Sequence, residues 1–193
     1  LFRSECFLYG KTKLAQKRRS VFKKESVWKI VGSYIWGKTK LITLNIKLPD
    51  HFLDEEVQDG FLVSQKRKEV WAVELDLLTE FDRVCKKYKL RYFADGGTLL
   101  GAIRHGGFIP WDDDIDLAMF RDDYDKLCSI ALHEFKNPYF FQTEYTDRGS
   151  LRGHAQLRNS NTTAILRNSL NCKYKFNQGI FIDIFPMDSV TEN

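Results

Sequence analysis

The segment from Tyr92 to Phe120 constrains the fold of this 193-residue chain more than any other. It reads YFADGGTLLGAIRHGGFIPWDDDIDLAMF and contains five aspartates, four of them within five positions. Like charges at that density destabilise a compact fold unless a positive group or a metal ion lies among them. The four clustered aspartates also stand between the apolar FIPW and an alternating apolar stretch, whereas solvated acidic runs have polar neighbours. The segment therefore predicts a cation site.

Hydrophobic periodicity predicts an α+β or α/β fold in which helices flank one mixed sheet. A strong amphipathic pattern, EVWAVELDLLTEFDRVCKKY, predicts a long helix, and a second helix should begin at the Gly-Gly pair. A third helix should follow the aspartates, with Asp122 or Asp123 as its cap. Strands are expected over residues 90–95, 114–120, 138–145, 153–159 and 179–188.

The charge of the chain is distributed unevenly. Residues 1–40 hold 11 Lys/Arg and 2 Asp/Glu, a net charge of +9, whereas residues 41–193 hold 19 and 24, a net charge of −5. Residues 1–60 are therefore interpreted as a basic arm and linker, and residues 61–193 as the main, acidic domain. The loop that joins the two is expected over residues 48–65. Within the arm, Val27, Val31, Tyr34 and Ile35 have helical spacing. Such a helix would pack on the domain or contact an anionic membrane surface; no motif supports nucleic-acid binding.

Cysteines and hydropathy indicate the compartment. The four cysteines lie far apart and show neither metal-ligand spacing nor a disulfide framework. The sequence has no signal-peptide pattern and no apolar run of the roughly 18–20 residues that a membrane span needs. We therefore expect a cytoplasmic protein, and the basic arm allows a peripheral position at the inner face of the membrane.

The aspartates have the spacing of metal ligands. Side chains two apart on a strand share a face, so Asp114 and Asp116 would point the same way, and Asp112 could join them if the strand starts early. Two carboxylates on one face favour Mg²⁺ or Mn²⁺. Asp183, a lone acid in the apolar strand IFIDIFPMD, could supply the third ligand or act as a base. The alternatives are an exposed acidic turn, and solvent or backbone N–H contact for Asp183.

A calcium loop of the EF-hand type explains the aspartates less well. Asp112, Asp114 and Asp116 match its opening spacing, but Leu117 stands where that loop needs glycine, and Asp123 stands where it needs glutamate.

The stretch DGGTLLG follows one strand and opens a helix. Glycines at such a place let backbone N–H groups approach a phosphate, although a tight turn would explain them equally well. The stretch is neither a Walker A loop nor G-x-G-x-x-G. A strand, a Gly-Gly turn, a helix and then D-x-D on the next strand form the layout of the nucleotidyltransferase superfamily, which has the polymerase-β-like fold.

A longer match narrows this layout to one family. FADGGTLLGAIRHGGFIPWDDDIDLAMFRDDYDKL closely resembles the signature of the LicD family, and FIDIFPMD resembles its downstream aspartate motif. The resemblance extends from Lys66 to Asp188. The family includes bacterial phosphocholine transferases and the animal fukutin and fukutin-related proteins. Because the family normally continues well beyond the second motif, we expect this chain to be truncated at its C-terminus.

The resemblance implies transfer of phosphocholine or a polyol phosphate from a CDP-activated donor, with release of CMP. The acceptor would be a hydroxyl of a cell-surface glycan, a glycolipid such as lipopolysaccharide, or a teichoic acid. Asp114 and Asp116 would hold Mg²⁺ with Asp183 as third ligand or base, and Asp112 would support them from outside the ligand set. The implied nucleotide- and phosphate-binding residues are Gly96, Gly97, Thr98, Arg104, His105 and Arg158.

Several alternatives stay open. Arg104, His105 and Arg158 could be structural, and Tyr92 and Trp111 could either pack in the domain or stack on the donor. The fold also permits a true nucleotidyltransferase, which attacks the phosphate next to the nucleoside, or a catalytically silent domain in glycan assembly.

Overall fold

The computed structural model describes residues 44–166 and 174–190, together with four short strands in the first 43 residues. Three helices are described: α1 (Gln65–Tyr88), α2 (Gly96–Arg104) and α3 (Arg121–Glu134). The strands are β1 (Cys6–Phe7), β2 (Lys29–Val31), β3 (Tyr34–Trp36), β4 (Leu41–Thr43), β5 (Glu56–Gln58), β6 (Phe61–Val63), β7 (Phe93–Ala94), β8 (Asp116–Phe120), β9 (Tyr139–Gln142), β10 (Ala155–Asn159), β11 (Ile165–Leu166) and β12 (Ile180–Met187).

The central element is a five-stranded mixed sheet with the order β7-β8-β12-β10-β9. Strands β8 and β12 are parallel, and the other neighbouring pairs are antiparallel. Helices α1 and α3 pack against this sheet, and α2 packs against β8. The predicted α+β architecture, with a mixed sheet flanked by helices, is confirmed.

Helix α1 has clear signals at both ends. The Ser64 hydroxyl accepts a hydrogen bond from the Arg67 N–H at 3.4 Å, as an N-cap residue does. Lys89 adopts a left-handed conformation with φ 54°, and the Leu90 N–H donates to the Cys85 carbonyl at 2.9 Å, which ends the helix. Between these ends, α1 buries an apolar stripe against β10 and β12.

The two faces of the sheet differ in chemistry because side chains alternate along each strand. One side of the sheet forms the buried core, and the side chains that point to it are Leu117, Met119, Leu157, Ile182 and Ile184. Burial of these side chains stabilises the fold by about 1.5–3 kcal/mol each. The intervening positions point to the opposite side, and they include Asp116 on β8 and Asp183 on β12.

The strand predicted from residue 114 begins two residues later, at Asp116. The prediction that Asp114 lies on the strand is therefore wrong. The preceding residues are held by α1 instead, since the Asp112 carbonyl accepts hydrogen bonds from Arg67 Nη1 at 2.8 Å and Trp71 Nε1 at 3.0 Å. We call residues 112–114 the acidic loop.

The predicted linker over 48–65 contains a β-hairpin, formed by β5 and β6. Asp59 and Gly60 form its turn, with positive φ angles of 49° and 75°. An Asp-Gly pair is a strong signal for a tight hairpin turn, because both residues tolerate the left-handed region.

The helix predicted in the basic arm is also wrong, because β2, β3 and β4 form an antiparallel sheet there. Its residues include valine, isoleucine, tyrosine and tryptophan, which favour strands. The side chains of residues 1–43 lie outside the described residues. Within the part of the chain that the structure describes, no helix is long and apolar enough to cross a membrane.

The start of α3 differs from the prediction as well. Neither Asp122 nor Asp123 caps the helix, because its N-cap position is Phe120 and has no side-chain hydrogen bond. The two aspartates lie in the first turn, where negative charge is favourable next to the positive end of the helix dipole.

We predict that Gly101→Ala destabilises the domain by about 1–3 kcal/mol, because a β-carbon at this position would overlap the Gly107 carbonyl and lie 3.1 Å from the Ile109 nitrogen. Alanine has a higher helix propensity by up to about 1 kcal/mol, but overlap with rigid backbone outweighs that gain. Thermal unfolding measures the change. Gly107→Ala is the control, because its β-carbon would meet no atom within 4 Å; equal melting temperatures would contradict the prediction.

Candidate active site

Asp116 and Asp183 lie side by side on parallel neighbouring strands. They are direct partners in the register of β8 and β12. Neighbouring strands are about 4.8 Å apart, so two carboxylates on the same face at this register lie close together. The sequence predicted both residues, and the strand order brings together positions that are far apart in the chain.

Asp183 is held in place by two side chains that sequence reasoning missed. His154 Nε2 lies 2.9 Å from Asp183 Oδ1, and Gln156 Nε2 donates to the same oxygen at 2.6 Å. The side chains of His154 and Asp183 are only 17% and 14% exposed, so exposure to solvent does not explain why an aspartate stands in this apolar strand. Alternation in GHAQLRN places residues 154 and 156 on one face, but only the pairing of β10 with β12 shows which acid they contact.

The Gly-Gly turn joins α2 to the acid-bearing strand. Asp95 Oδ1 accepts a hydrogen bond from the Gly96 N–H at 2.9 Å, and the Asp95 N–H donates to the Asp116 carbonyl at 3.0 Å. The Asp116 N–H in turn donates to the Thr98 hydroxyl at 2.8 Å. The N-terminus of α2 is therefore fixed beside Asp116.

Gly96 and Gly97 allow carboxylates to approach the helix closely. A β-carbon at Gly96 would lie 3.2 Å from Asp116 Oδ2, and one at Gly97 would overlap Asp112 Oδ2. Gly96 also has a positive φ of 48°, which other residues rarely adopt. The observed neighbours of the glycines are thus aspartates, and the phosphate contact stays a prediction.

Burial and mutual repulsion raise the pKa values of two site aspartates. Burial raises the pKa of Asp114 to about 7, and the negative charge of Asp116 adds to the shift. The pKa of Asp116 rises to about 6, again mainly through burial and then through Asp183. A divalent cation would favour the ionised form of both side chains and offset this repulsion.

The oxygen ligands present fit a hard divalent cation such as Mg²⁺ or Mn²⁺. Within the described residues, the tightest acidic group is the acidic loop, in which one carboxylate oxygen from each residue lies within 4.8 Å of the others. The predicted ligands Asp114, Asp116 and Asp183 are spaced more widely than that.

Arg104 and His105 lie at the C-terminal end of α2. Arg104 is exposed. His105 Nε2 lies 3.1 Å from Asp59 Oδ2, in the turn of the hairpin formed by β5 and β6, and the ring contacts Trp111 edge-on. The structure therefore pairs His105 with the hairpin, and the predicted phosphate contacts of both residues stay predictions.

Arg158 is buried inside a polar network. Its guanidinium donates to Gln142 Oε1 at 2.5 Å, to the Gly179 carbonyl at 2.6 Å and to Gln156 Oε1. Only 1% of the residue is exposed, so this arrangement does not favour a direct phosphate contact. Because Gln156 also donates to Asp183, the network connects the buried arginine to the site.

The two aromatic candidates pack within the domain. The Tyr92 hydroxyl donates to Asp82 at 2.9 Å, and its ring contacts Phe81 edge-on. Trp111 contacts Phe61 in the same manner. These contacts agree with packing roles.

Glu74 is a further acid at this site that sequence reasoning missed. It lies on α1 and is 2% exposed, and no hydrogen-bond partner reaches its Oε2 atom among the described residues. Its pKa is raised well above the usual value by burial and then by Asp114. The signal in the sequence was an acid between the apolar Val73 and Leu75 of a buried stripe.

Comparisons with known proteins show which sequences this chain is similar to. A sequence model of the family described as LicD/FKTN/FKRP, nucleotidyltransferase domain, matches residues 89–193. The lipopolysaccharide cholinephosphotransferase LicD of Haemophilus influenzae is 38% identical over 129 residues, which are 64% of this chain and 44% of that protein.

Two further relatives match shorter segments. An uncharacterised protein of Rickettsia prowazekii is 32% identical over 93 residues, 48% of this chain and 31% of that protein. The ribitol 5-phosphate transferase FKRP of human is 56% identical over 34 residues, 18% of this chain and 7% of that protein. The chain thus spans less than half the length of the curated relatives it matches.

Proposed function

Because the chain belongs to the LicD/FKTN/FKRP family, we propose that it transfers a substituted phosphate from a CDP-activated donor to a hydroxyl acceptor. The transferred group is phosphocholine or a polyol phosphate such as ribitol phosphate, the two chemistries in the names of its relatives. The acceptor is a cell-surface glycan or a lipopolysaccharide-type glycolipid, and CMP is released.

The pairing of Asp116 with Asp183 is the observation that carries this proposal. The two carboxylates lie across neighbouring strands beside the N-terminus of α2, which Thr98 and Asp95 fix in place. A helix N-terminus favours a phosphate group, and paired acids favour the cation that accompanies it. A diphosphate donor requires both features at one place.

The residues of the chain have distinct roles in the proposed reaction. Gln156 Nε2 donates to Asp183 Oδ1, and His154 Nε2 lies 2.9 Å from the same oxygen, so the two side chains fix the orientation of that carboxylate. Asp183 orients the acceptor hydroxyl and takes its proton. The hydroxyl oxygen then forms a bond to the phosphorus distal to the nucleoside. The bond from that phosphorus to the bridging oxygen breaks, and CMP leaves.

Asp114 and Asp116 would hold the proposed Mg²⁺ or Mn²⁺, with Asp183 beside them. When bound, such an ion neutralises charge on the diphosphate and favours in-line attack. Gly96 and Gly97 leave room at the helix N-terminus, because a side chain at either position would meet a carboxylate.

We expect CDP-choline, CDP-ribitol or CDP-glycerol to bind in calorimetric titrations with Mg²⁺ present, and binding to weaken at least about tenfold in EDTA because the ion links donor and carboxylates. CMP alone is the control ligand for the CDP donors, since it carries the same nucleoside but lacks the diphosphate. The donor that binds most tightly identifies the transferred group, and CMP release in the presence of a glycan acceptor then confirms the reaction.

Two results would contradict the proposal. Tighter binding of CTP than of any CDP donor, with pyrophosphate as the product, would indicate a true nucleotidyltransferase. Equal binding of CDP donors and CMP, unchanged by Mg²⁺, would indicate a domain that does not use a diphosphate donor.

A further inference from the structure

Arg158 is a charged side chain enclosed between strands of the central sheet. Its guanidinium donates to Gln142 Oε1 at 2.5 Å, to the Gly179 carbonyl at 2.6 Å and to Gln156 Oε1, and it lies 4.5 Å from the centre of the Phe181 ring. An apolar residue of similar size often stabilises an interior as well as a buried charge does. Stability alone therefore does not explain an arginine at this position.

The chemistry of arginine fixes the direction of the next hydrogen bond. A guanidinium has five N–H donors and no acceptor, so the Gln156 amide must turn its oxygen toward Arg158. The amide nitrogen then points the other way, and Gln156 Nε2 donates to Asp183 Oδ1 at 2.6 Å. A glutamine amide keeps nearly the same shape when its oxygen and nitrogen exchange places, so shape alone does not set this orientation.

The guanidinium is anchored on the side away from the site. Gln142 accepts from Arg158 through Oε1, and its Nε2 donates to Asp147 Oδ2 at 2.7 Å and to the Asn177 carbonyl at 3.0 Å. The Asn177 N–H donates to Asp147 Oδ2 as well, at 2.7 Å. Gln142, Gln156 and Arg158 are almost fully buried, so water does not compete for these hydrogen bonds. Arg158 therefore gives Gln156 a fixed point of reference.

We propose that Arg158 is a positioning residue for the proposed transfer reaction, on which this inference rests: Arg158 orients the Gln156 amide, and the amide orients the Asp183 carboxylate. Gln156 and Asp183 are direct partners in the register of β10 and β12. Gln156 and His154 both contact Oδ1 of Asp183, so the other oxygen, Oδ2, is the one that these contacts leave for the acceptor hydroxyl. A small misplacement of such a group can lower a reaction rate about a hundredfold.

The first test compares the kinetics of Arg158→Gln with those of Arg152→Gln. Glutamine at position 158 can present either its oxygen or its nitrogen to Gln156, so it no longer fixes the amide. Because Arg158 acts through Gln156 and not on the donor, kcat for CMP release should fall at least about tenfold, while KM for the CDP donor should change by no more than about twofold. Arg158→Lys keeps a cation that only donates, so it should lose less activity.

Arg152 provides the matched control. It also lies over the Phe181 ring, at 5.9 Å, but it is exposed. Arg152→Gln makes the same chemical change beside the same ring, and we expect it to alter kcat and KM by no more than about twofold.

A second readout needs no activity and no metal ion. Nitrogen-15 NMR of the metal-free protein reports the side-chain amide of Gln156, whose signal is identified by its loss in Gln156→Glu. The signal should move in Arg158→Gln and stay in place in Arg152→Gln, because the hydrogen bond to a carboxylate affects its chemical shift.

Gln156→Glu also tests the proposal if Arg158→Gln does not fold. An ionised glutamate still accepts from Arg158 but does not donate to Asp183. We therefore expect kcat to fall at least about tenfold while the melting temperature stays close to that of the wild type.

Three results would overturn the proposal: an unchanged Gln156 amide signal in Arg158→Gln, wild-type kcat in Arg158→Gln or Gln156→Glu, or a raised donor KM with unchanged kcat in Arg158→Gln. The last result would indicate that Arg158 binds the donor itself. If the wild-type protein releases no CMP from any CDP donor, the proposed reaction is contradicted. The NMR signal then still decides whether Arg158 positions Gln156.

Discussion

Asp116→Asn is expected to lower the transfer rate at least about a thousandfold, because a metal ligand contributes several kcal/mol of charge stabilisation and each 1.4 kcal/mol is a factor of ten. The substitution keeps the shape of the side chain and leaves the backbone hydrogen bond from Asp116 to Thr98 intact. It removes one negative charge that Asp183 and Asp112 repel. The melting temperature at pH 8 should therefore stay equal or rise while activity is lost. CMP release and thermal unfolding of the same preparation measure both quantities.

Asp125→Asn is the matched control for this experiment. Asp125 is 63% exposed on α3 and pairs with Arg121 at 3.4 Å, so its removal should change activity by no more than about twofold. A loss of activity in Asp116→Asn with a lowered melting temperature would indicate damage to the fold. Full activity in Asp116→Asn would contradict the proposed role of the aspartate.

The sequence predicted the acid-bearing strands because alternation is a local property. Residues 180–187 alternate around Asp183, and a lone acid within a buried strand indicates a functional position. Alternation does not predict which strands become neighbours. The Asp116–Asp183 pair depends on the parallel pairing of β8 with β12, which brings together segments more than 60 residues apart in the chain.

Contacts between distant segments also explain where the structure differs from the sequence-based predictions. Asp114 lies before the strand because Arg67 and Trp71, 45 and 41 residues before Asp112, hold the carbonyl of that residue. Arg158 is buried because Gln142 and Gly179 enclose its guanidinium from other strands and loops. The sequence shows Glu74 only as part of an amphipathic helix. Its surroundings depend on the position of the acidic loop against α1, which the helical pattern does not predict.

The arm shows the limit of periodicity in short segments. Val31, Tyr34 and Ile35 have spacing that suits a helix, yet the same residues favour strands, and the structure places them in β2 and β3. Helical spacing over so few turns does not distinguish the two states, because a short apolar run fits either.

Lowering the pH from 8 to 5 is expected to raise the melting temperature of the metal-free protein. Asp114 and Asp116 have folded-state pKa values of about 7 and about 6, above the ordinary value of 3.8. The folded state therefore binds protons more tightly than the unfolded state, so stability falls as pH rises from about 4 to about 7. A domain of this size gains about 2–4 °C for each 1 kcal/mol, and we expect a rise of several degrees. Scanning calorimetry in EDTA measures this dependence.

Asp114→Asn should flatten this pH dependence because the substitution removes the carboxyl with the larger shift, whereas Asp125→Asn should leave it unchanged. Mg²⁺ should stabilise the wild-type protein more at pH 8 than at pH 5, since the ion and protons compete for the same carboxylates. The two effects test one cause, which is repulsion among buried acids that either protons or a cation can relieve. Two results would contradict this explanation: a wild-type melting temperature that decreases when the pH is lowered from 8 to 5, or the same dependence of melting temperature on pH in Asp114→Asn as in the wild type. Either would show that other groups of the protein already neutralise the repulsion among these carboxylates.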